Sequence, residues 1–149
     1  MRRVVRAFLV TMAITALMTA TAYAGRGGVA SVPLNNGQEA TDAKFGGSGS
    51  FAWWIEGDAL CYEMSVRNLT AAPLFAHIHG VAPRTVAAGV KITLLTPPSA
   101  TSTVSDCVSG GEGDATAQEI ADIVASPRDY YVNVHTPLFP GGEVRGQLK

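Results

Sequence analysis

Charge is scarce in this chain: 15% of its 149 residues are Asp, Glu, Lys or Arg. Beyond Arg2-Arg3 the basic ones stand singly, with no run and no interleaved aromatics, so nothing resembles a nucleic-acid surface. Cysteine is limited to Cys61 and Cys107, neither in a C-x-x-C nor beside a histidine. That argues against a thiolate metal site or a catalytic cysteine. No serine lies in a G-x-S-x-G elbow, which removes the usual nucleophile motif of a Ser-His-Asp hydrolase. No second carboxylate stands at a telling spacing from Glu143, so paired acid–base chemistry has little footing. Internal repeats, long disordered stretches and alternating helices are all missing, and with the last goes a parallel sheet.

One apolar run is present, Ala7 to Ala16, interrupted by Thr11 and Thr15. Arg2, Arg3 and Arg6 precede it, and Ala22-Tyr23-Ala24 follows with the small-x-small pattern of a cleavage site. Residues 1–24 are therefore expected to be a secretory signal peptide, and 25–149 the exported domain. The run is short for a bilayer, so no membrane span is expected after cleavage. Three of the eleven basic residues leave with the leader and none of the twelve acidic ones does. The exported part then carries eight against twelve, a mild negative balance that disfavours nucleic acid as a partner. A secreted or periplasmic destination follows. There Cys61 and Cys107 are most simply a disulfide, closing a loop of about 45 residues and contributing on the order of 3–4 kcal/mol.

Within the exported part, short alternating segments are separated by Gly, Pro, Ser and Asn. Val29–Leu34, Phe51–Ile55, Leu60–Val66, Leu74–His79 and Val90–Leu94 read as strands, and the Ser/Thr/Gly-rich stretch that follows as turns or one short strand around Val104–Val108. Phe51, Trp53 and Ile55 are expected on one face with Trp54 on the other, at a rim. Leu60, Tyr62, Met64 and Val66 are expected in the core. Thr116 and Glu119 form a capping box before Ile120, Ile123 and Val124, predicting one short helix near 116–125 that ends at Pro127. Tyr131–Thr136 and Val144–Leu148 close the chain as a hairpin around Pro140-Gly141-Gly142. The fold class expected is all-β, an antiparallel β-sandwich or Greek-key barrel with one short helix.

That last hairpin has two unlike faces. Val132 and Val134 alternate with Asn133 and His135, and Val144 and Leu148 alternate with Glu143, Arg145 and Gln147. His77 and His79, at i and i+2, point the same way. If the two strands are neighbours, His77, His79 and His135 converge as a candidate site for one copper or zinc ion. Asn133, Glu143 and Arg145 would form its supporting polar face. The alternative is that the imidazoles only hydrogen-bond within the sheet. Glu143 and Arg145 are expected to pair with each other, with Asn133 or with a neighbouring loop. Asn68-Leu69-Thr70 fits an N-glycosylation acceptor.

Three motifs taken together, Ala76-His77-Ile78-His79-Gly80, Tyr131-Val132-Asn133-Val134-His135-Thr136 and Pro140-Gly141-Gly142-Glu143-Val144-Arg145-Gly146-Gln147-Leu148, resemble the CHRD domain. That family is named for its repeats in chordin, an extracellular antagonist of bone morphogenetic proteins, and occurs singly in exported bacterial proteins. Leu34, Gly37, Gln38 and Glu39 echo the family's opening, and Leu60-Cys61-Tyr62 its Leu-x-Tyr strand. Ala40-Thr41 and Gly80-Val81-Ala82-Pro83 depart from the usual pattern in two loops. The resemblance implies a β-rich extracellular module without established catalysis, and its recurrent motifs fall on His77, His79, Asn133 and His135. It does not carry growth-factor binding onto a single domain, so any protein partner is left unnamed. A looser similarity is to copper/zinc superoxide dismutase, a β-sandwich with a His-x-His strand. That enzyme needs more than three histidines, which argues against dismutation. The expectation is a binding module, not an enzyme, with a structural or protein-interaction role as the alternative.

Overall fold

The computed structural model describes residue 29 and residues 31–44, 46–111 and 115–149. The expected leader and cleavage site lie outside the described residues.

Eight strands form among the described residues: β1 Ser31–Asn35, β2 Ser48–Glu56, β3 Ala59–Arg67, β4 Phe75–His79, β5 Val90–Leu94, β6 Ser102–Ser109, β7 Tyr131–His135 and β8 Val144–Gln147. All belong to one antiparallel sheet in the order β5-β4-β7-β8-β1-β2-β3-β6. A right-handed twist accumulated over eight strands curls such a sheet on itself. The Tyr62 hydroxyl on β3 accepts from the Leu95 amide, just past β5, at 2.7 Å, so strands at opposite ends of the order meet across the interior. The result is nearly closed and barrel-like, the second of the two expected architectures.

The barrel is filled by the inward half of each alternation. Leu60, Tyr62, Met64 and Val66 are buried as expected, against Val32, Leu34, Phe51, Ile78, Ile92, Val132, Val134 and Val144. Phe51 and Tyr62 stack with centroids 5.4 Å apart. Each such side chain contributes about 1.5–3 kcal/mol of hydrophobic stabilisation before entropy is subtracted. Trp53 packs partly buried against this core, and Trp54, half-buried, donates its indole N–H to Glu56 at 3.4 Å.

Ile55 departs from expectation: it is 41% exposed, although it shares the parity of Phe51 and Trp53. The hairpin of β2 and β3, nine residues each, outruns the core, and its tip around Gly57 stands in solvent. The helix α1, Ala117–Ala125, has the predicted capping box, with the Thr116 hydroxyl accepting from the Glu119 amide at 3.1 Å. Ile120 and Ile123 are buried, but Val124 is 47% exposed. At 100° per residue Val124 lies at the edge of the stripe that Ile120 and Ile123 centre, and this short helix buries only that stripe.

Cys61 on β3 and Cys107 on β6 are direct register partners and are joined by a disulfide. It ties the edge strand β6 to the barrel, where one flank has no neighbour to pair with.

Candidate functional site

The outward face of β4, β7 and β8 is polar in sequence yet not open to water. All five residues of β7 are buried. Two segments cover this face: Gln38-Glu39, following β1, and the loop 80–89 between β4 and β5. Gly80 and Gly89 close that loop through a backbone hydrogen bond of 2.9 Å.

Because β4 pairs directly with β7, Phe75 opposes His135, His77 opposes Asn133 and His79 opposes Tyr131. His77, His79 and His135 therefore meet on one side of the sheet, as the i, i+2 spacing required. His77 Nδ1 lies 3.2 Å from His135 Nε2, and His79 Nε2 lies 3.3 Å from the same atom. All three donor nitrogens fall within 4.8 Å of one another. Phe75 stacks on His77 (5.8 Å, 17°) and Tyr131 on His79 (4.9 Å, 6°), which fixes two of the rings.

The far nitrogens settle the tautomers. His79 Nδ1 donates to the Ala88 carbonyl at 2.9 Å, and His135 Nδ1 donates to the Pro140 carbonyl at 3.0 Å. Each neutral ring has one N–H, so both Nε2 atoms present lone pairs, and they face each other at 3.3 Å. His77 can donate its Nδ1–H to His135, but no proton remains for the His79–His135 contact. Adding one is costly. Burial, reinforced by the other two imidazoles, pushes His135 down to about 4 against the help of its Pro140 hydrogen bond. Burial likewise lowers His79, with His77 and Arg145 adding to it and the Ala88 hydrogen bond opposing.

The same nitrogens could instead hold a metal ion. Bonds of about 2.0–2.1 Å in a tetrahedral shell put donor nitrogens about 3.3–3.4 Å apart, close to the two separations here. Backbone carbonyls on the opposite ring nitrogens are the usual means of orienting histidine ligands. The histidine set thus has the donor type for one zinc or copper ion, and His79 and His135 have the tautomers for it.

The three residues expected to support this face are divided among different tasks. Asn133 donates to Glu39 Oε2 at 3.4 Å. Glu143 turns to the neighbouring loop, the third of the expected partners. It accepts from the Thr70 amide (2.8 Å), the Thr70 hydroxyl (2.6 Å) and the Thr136 hydroxyl (2.6 Å). Within Asn68-Leu69-Thr70, Leu69 is packed at 6% exposed, while Asn68 and Thr70 are exposed. Arg145, fully buried, donates to the carbonyls of Val86 (2.7 Å), Pro83 (2.8 Å) and Ala82 (3.3 Å) and to Gln147 Oε1 (3.1 Å). Its guanidinium lies 3.3 Å from the centre of the Tyr131 ring. Sequence reasoning passed over Tyr131, Thr70, Thr136 and the two carbonyls, whose roles depend on loop paths that no local pattern encodes.

Glu39 is the exception to the well-partnered groups. One of its oxygens, Oε1, is buried without a hydrogen-bond partner, as are Asn133 Oδ1 and Arg145 Nε. Burial raises its carboxyl from 4.5 to about 7, although Arg145 and the Asn133 hydrogen bond pull the other way. The folded state then holds a proton that the unfolded chain releases, so stability falls as pH rises from about 4.5 through 7. His135 has the opposite sign: the unfolded ring protonates first, and stability falls as pH drops from about 6.5 towards 4. Comparison with Glu39→Gln isolates the first effect. The variant should be about 2–3 kcal/mol more stable than the parent at pH 8 and equal to it near pH 4.5 in urea titrations. A pH-independent difference would mean that Glu39 is not desolvated as described.

The family model for the CHRD domain matches residues 30–148, nearly all of the chain. No curated protein and no solved structure matches it. Among the described residues, no helix is long and apolar enough to cross a membrane.

Proposed function

The chain belongs to the CHRD domain family, and from that premise we propose that it is an exported binding module whose His77, His79 and His135 hold one copper or zinc ion. The observation that carries this reading is the pair of lone pairs opposed at 3.3 Å, on His79 and His135. Both rings have their only proton committed to a backbone carbonyl. An electron-pair acceptor relieves that contact; a hydrogen bond between the two rings cannot, without a proton that burial disfavours. The ion would supply that acceptor, with His77 Nδ1 as third donor and a water or a carboxylate completing the shell. Export is supported by the leader-like first 24 residues, by the disulfide and by the occurrence of CHRD domains in extracellular proteins. The function assigned is binding, without turnover; a dismutation assay should give no rate beyond that of the free ion.

The 3.2 Å approach of His77 to His135 is also an ordinary hydrogen-bond length, which favours a second reading in which the rings only lock the sheet. Metal analysis separates the two. Protein purified and dialysed against zinc or copper should retain about one equivalent, and His77→Ala/His79→Ala should weaken binding at least about a hundredfold. Equal metal content in parent and double variant, both folded by circular dichroism, would leave only the locking role.

A further inference from the structure

His79 is held by more than its hydrogen bond. Its ring lies parallel to that of Tyr131, at 4.9 Å and 6°. The Arg145 guanidinium sits 3.3 Å from the centre of the same Tyr131 ring. The two contacts cannot share a face of the ring, since the guanidinium already occupies the space over its centre. Tyr131 is therefore sandwiched, and a column runs His79–Tyr131–Arg145 across the adjacent strands β4, β7 and β8.

The same two residues also secure the loop that fixes the His79 tautomer. Arg145 donates to the carbonyls of Ala82, Pro83 and Val86. The Tyr131 hydroxyl accepts from the Ala88 amide at 2.9 Å. The Ala88 carbonyl, on the same residue, receives the His79 Nδ1 proton. Position of that carbonyl decides which nitrogen of His79 faces His135. Neither Arg145 nor Tyr131 belongs to the set of converging donor nitrogens.

We propose that Arg145 and Tyr131 are positioning residues for His79, setting its ring orientation through the stacked column and its tautomer through the Ala88 carbonyl. The claim rests on the metal-binding reading, because it gives the positioned nitrogen a ligand to meet. Outer partners of this kind commonly change metal affinity by about 10–100-fold.

Tyr131→Phe is the mildest probe: it keeps the stack and removes only the acceptor for the Ala88 amide. Arg145→Lys keeps the charge and loses the planar fork that reaches three carbonyls. The measurements are zinc affinity and nitrogen-15 NMR of the imidazoles in the metal-free protein. The expected result is a weakening of zinc binding by about tenfold in Tyr131→Phe. His79 should shift from a single Nδ1–H tautomer to a mixture, while His135, held by Pro140 outside the column, keeps its own. Arg145→Lys, where folded, should move both readouts further in the same direction.

If the parent binds zinc and Tyr131→Phe binds it equally well with an unchanged His79 tautomer, the positioning role is overturned and the metal site stands. If the parent binds no zinc, the metal reading falls and takes the positioning role with it. Equal perturbation of His79 and His135 would indicate general loosening and would also overturn the proposal.

Discussion

Glu143→Ala is expected to lower the unfolding free energy by about 3–5 kcal/mol, because it strips a buried carboxylate from three donors at once. Glu143 and Thr136 are both fully buried. The Thr70 amide and hydroxyl and the Thr136 hydroxyl all point at the two carboxylate oxygens, at 2.6–2.8 Å. An alanine leaves the buried Thr136 hydroxyl without its carboxylate acceptor in a crowded place, against which Gly47 and Leu69 also lie, while the exposed Thr70 has to turn its two donors to water. The cluster joins the loop after β3 to the end of β7, so its loss also frees chain that no ladder holds. Glu143→Gln keeps the shape and one acceptor but gives up the charge-assisted bonds, and should cost about 1–2 kcal/mol. Urea titration of the three proteins at neutral pH tests this directly. A cost below about 1 kcal/mol for the alanine would show that the threonines find other partners.

Gly142→Ala is expected to be comparably damaging, at about 3–5 kcal/mol, for a steric reason. Gly142 has φ +123°, where any side chain is strained. A Cβ there would stand 2.5 and 2.6 Å from the Asn133 amide atoms and 2.7 Å from Glu39 Oε2. Those groups are buried, so any shift they make has to displace their neighbours. Gly57 supplies the control: its φ is +64°, but nothing lies within 4 Å of its notional Cβ. Gly57→Ala should therefore cost only about 1 kcal/mol. Equal effects at the two positions would mean that backbone strain, and not the crowding of Asn133 and Glu39, governs the site. Gly142 also accounts for part of the histidine geometry. Its amide donates to the Phe139 carbonyl at 3.0 Å, shaping the turn from which Pro140 reaches His135.

Much of this architecture is local and so was readable in advance. Period-two alternation depends on neighbouring residues only, and it located seven of the eight strands, leaving β6 open between turns and a short strand; the capping box of Thr116 and Glu119 did the same for the helix. The misplacements, Ile55 and Val124, are positions where the local period is right but the core ends before the element does. The i, i+2 spacing of His77 and His79 was equally local. Their meeting with His135 was conditional, since it needed β4 beside β7, a pairing across more than fifty residues.

The sequence by itself determined the faces: which side of each strand is apolar, which carries imidazoles, and that Cys61 and Cys107 have each other as the available partner. It also carried the family motifs, because these are runs of adjacent residues. Only the tertiary structure decided what the polar face meets. A strand's parity says that Glu143 and Arg145 point away from the core, but not that one will gather two threonines and the other three loop carbonyls. Nor could it say that Ala88 and Pro140 would claim the outer nitrogens of His79 and His135. Those partners are backbone atoms, which every residue possesses, so the side-chain sequence holds no mark of them; loop closure over the sheet selects them. The tautomers, and with them the case for a metal, follow from that closure.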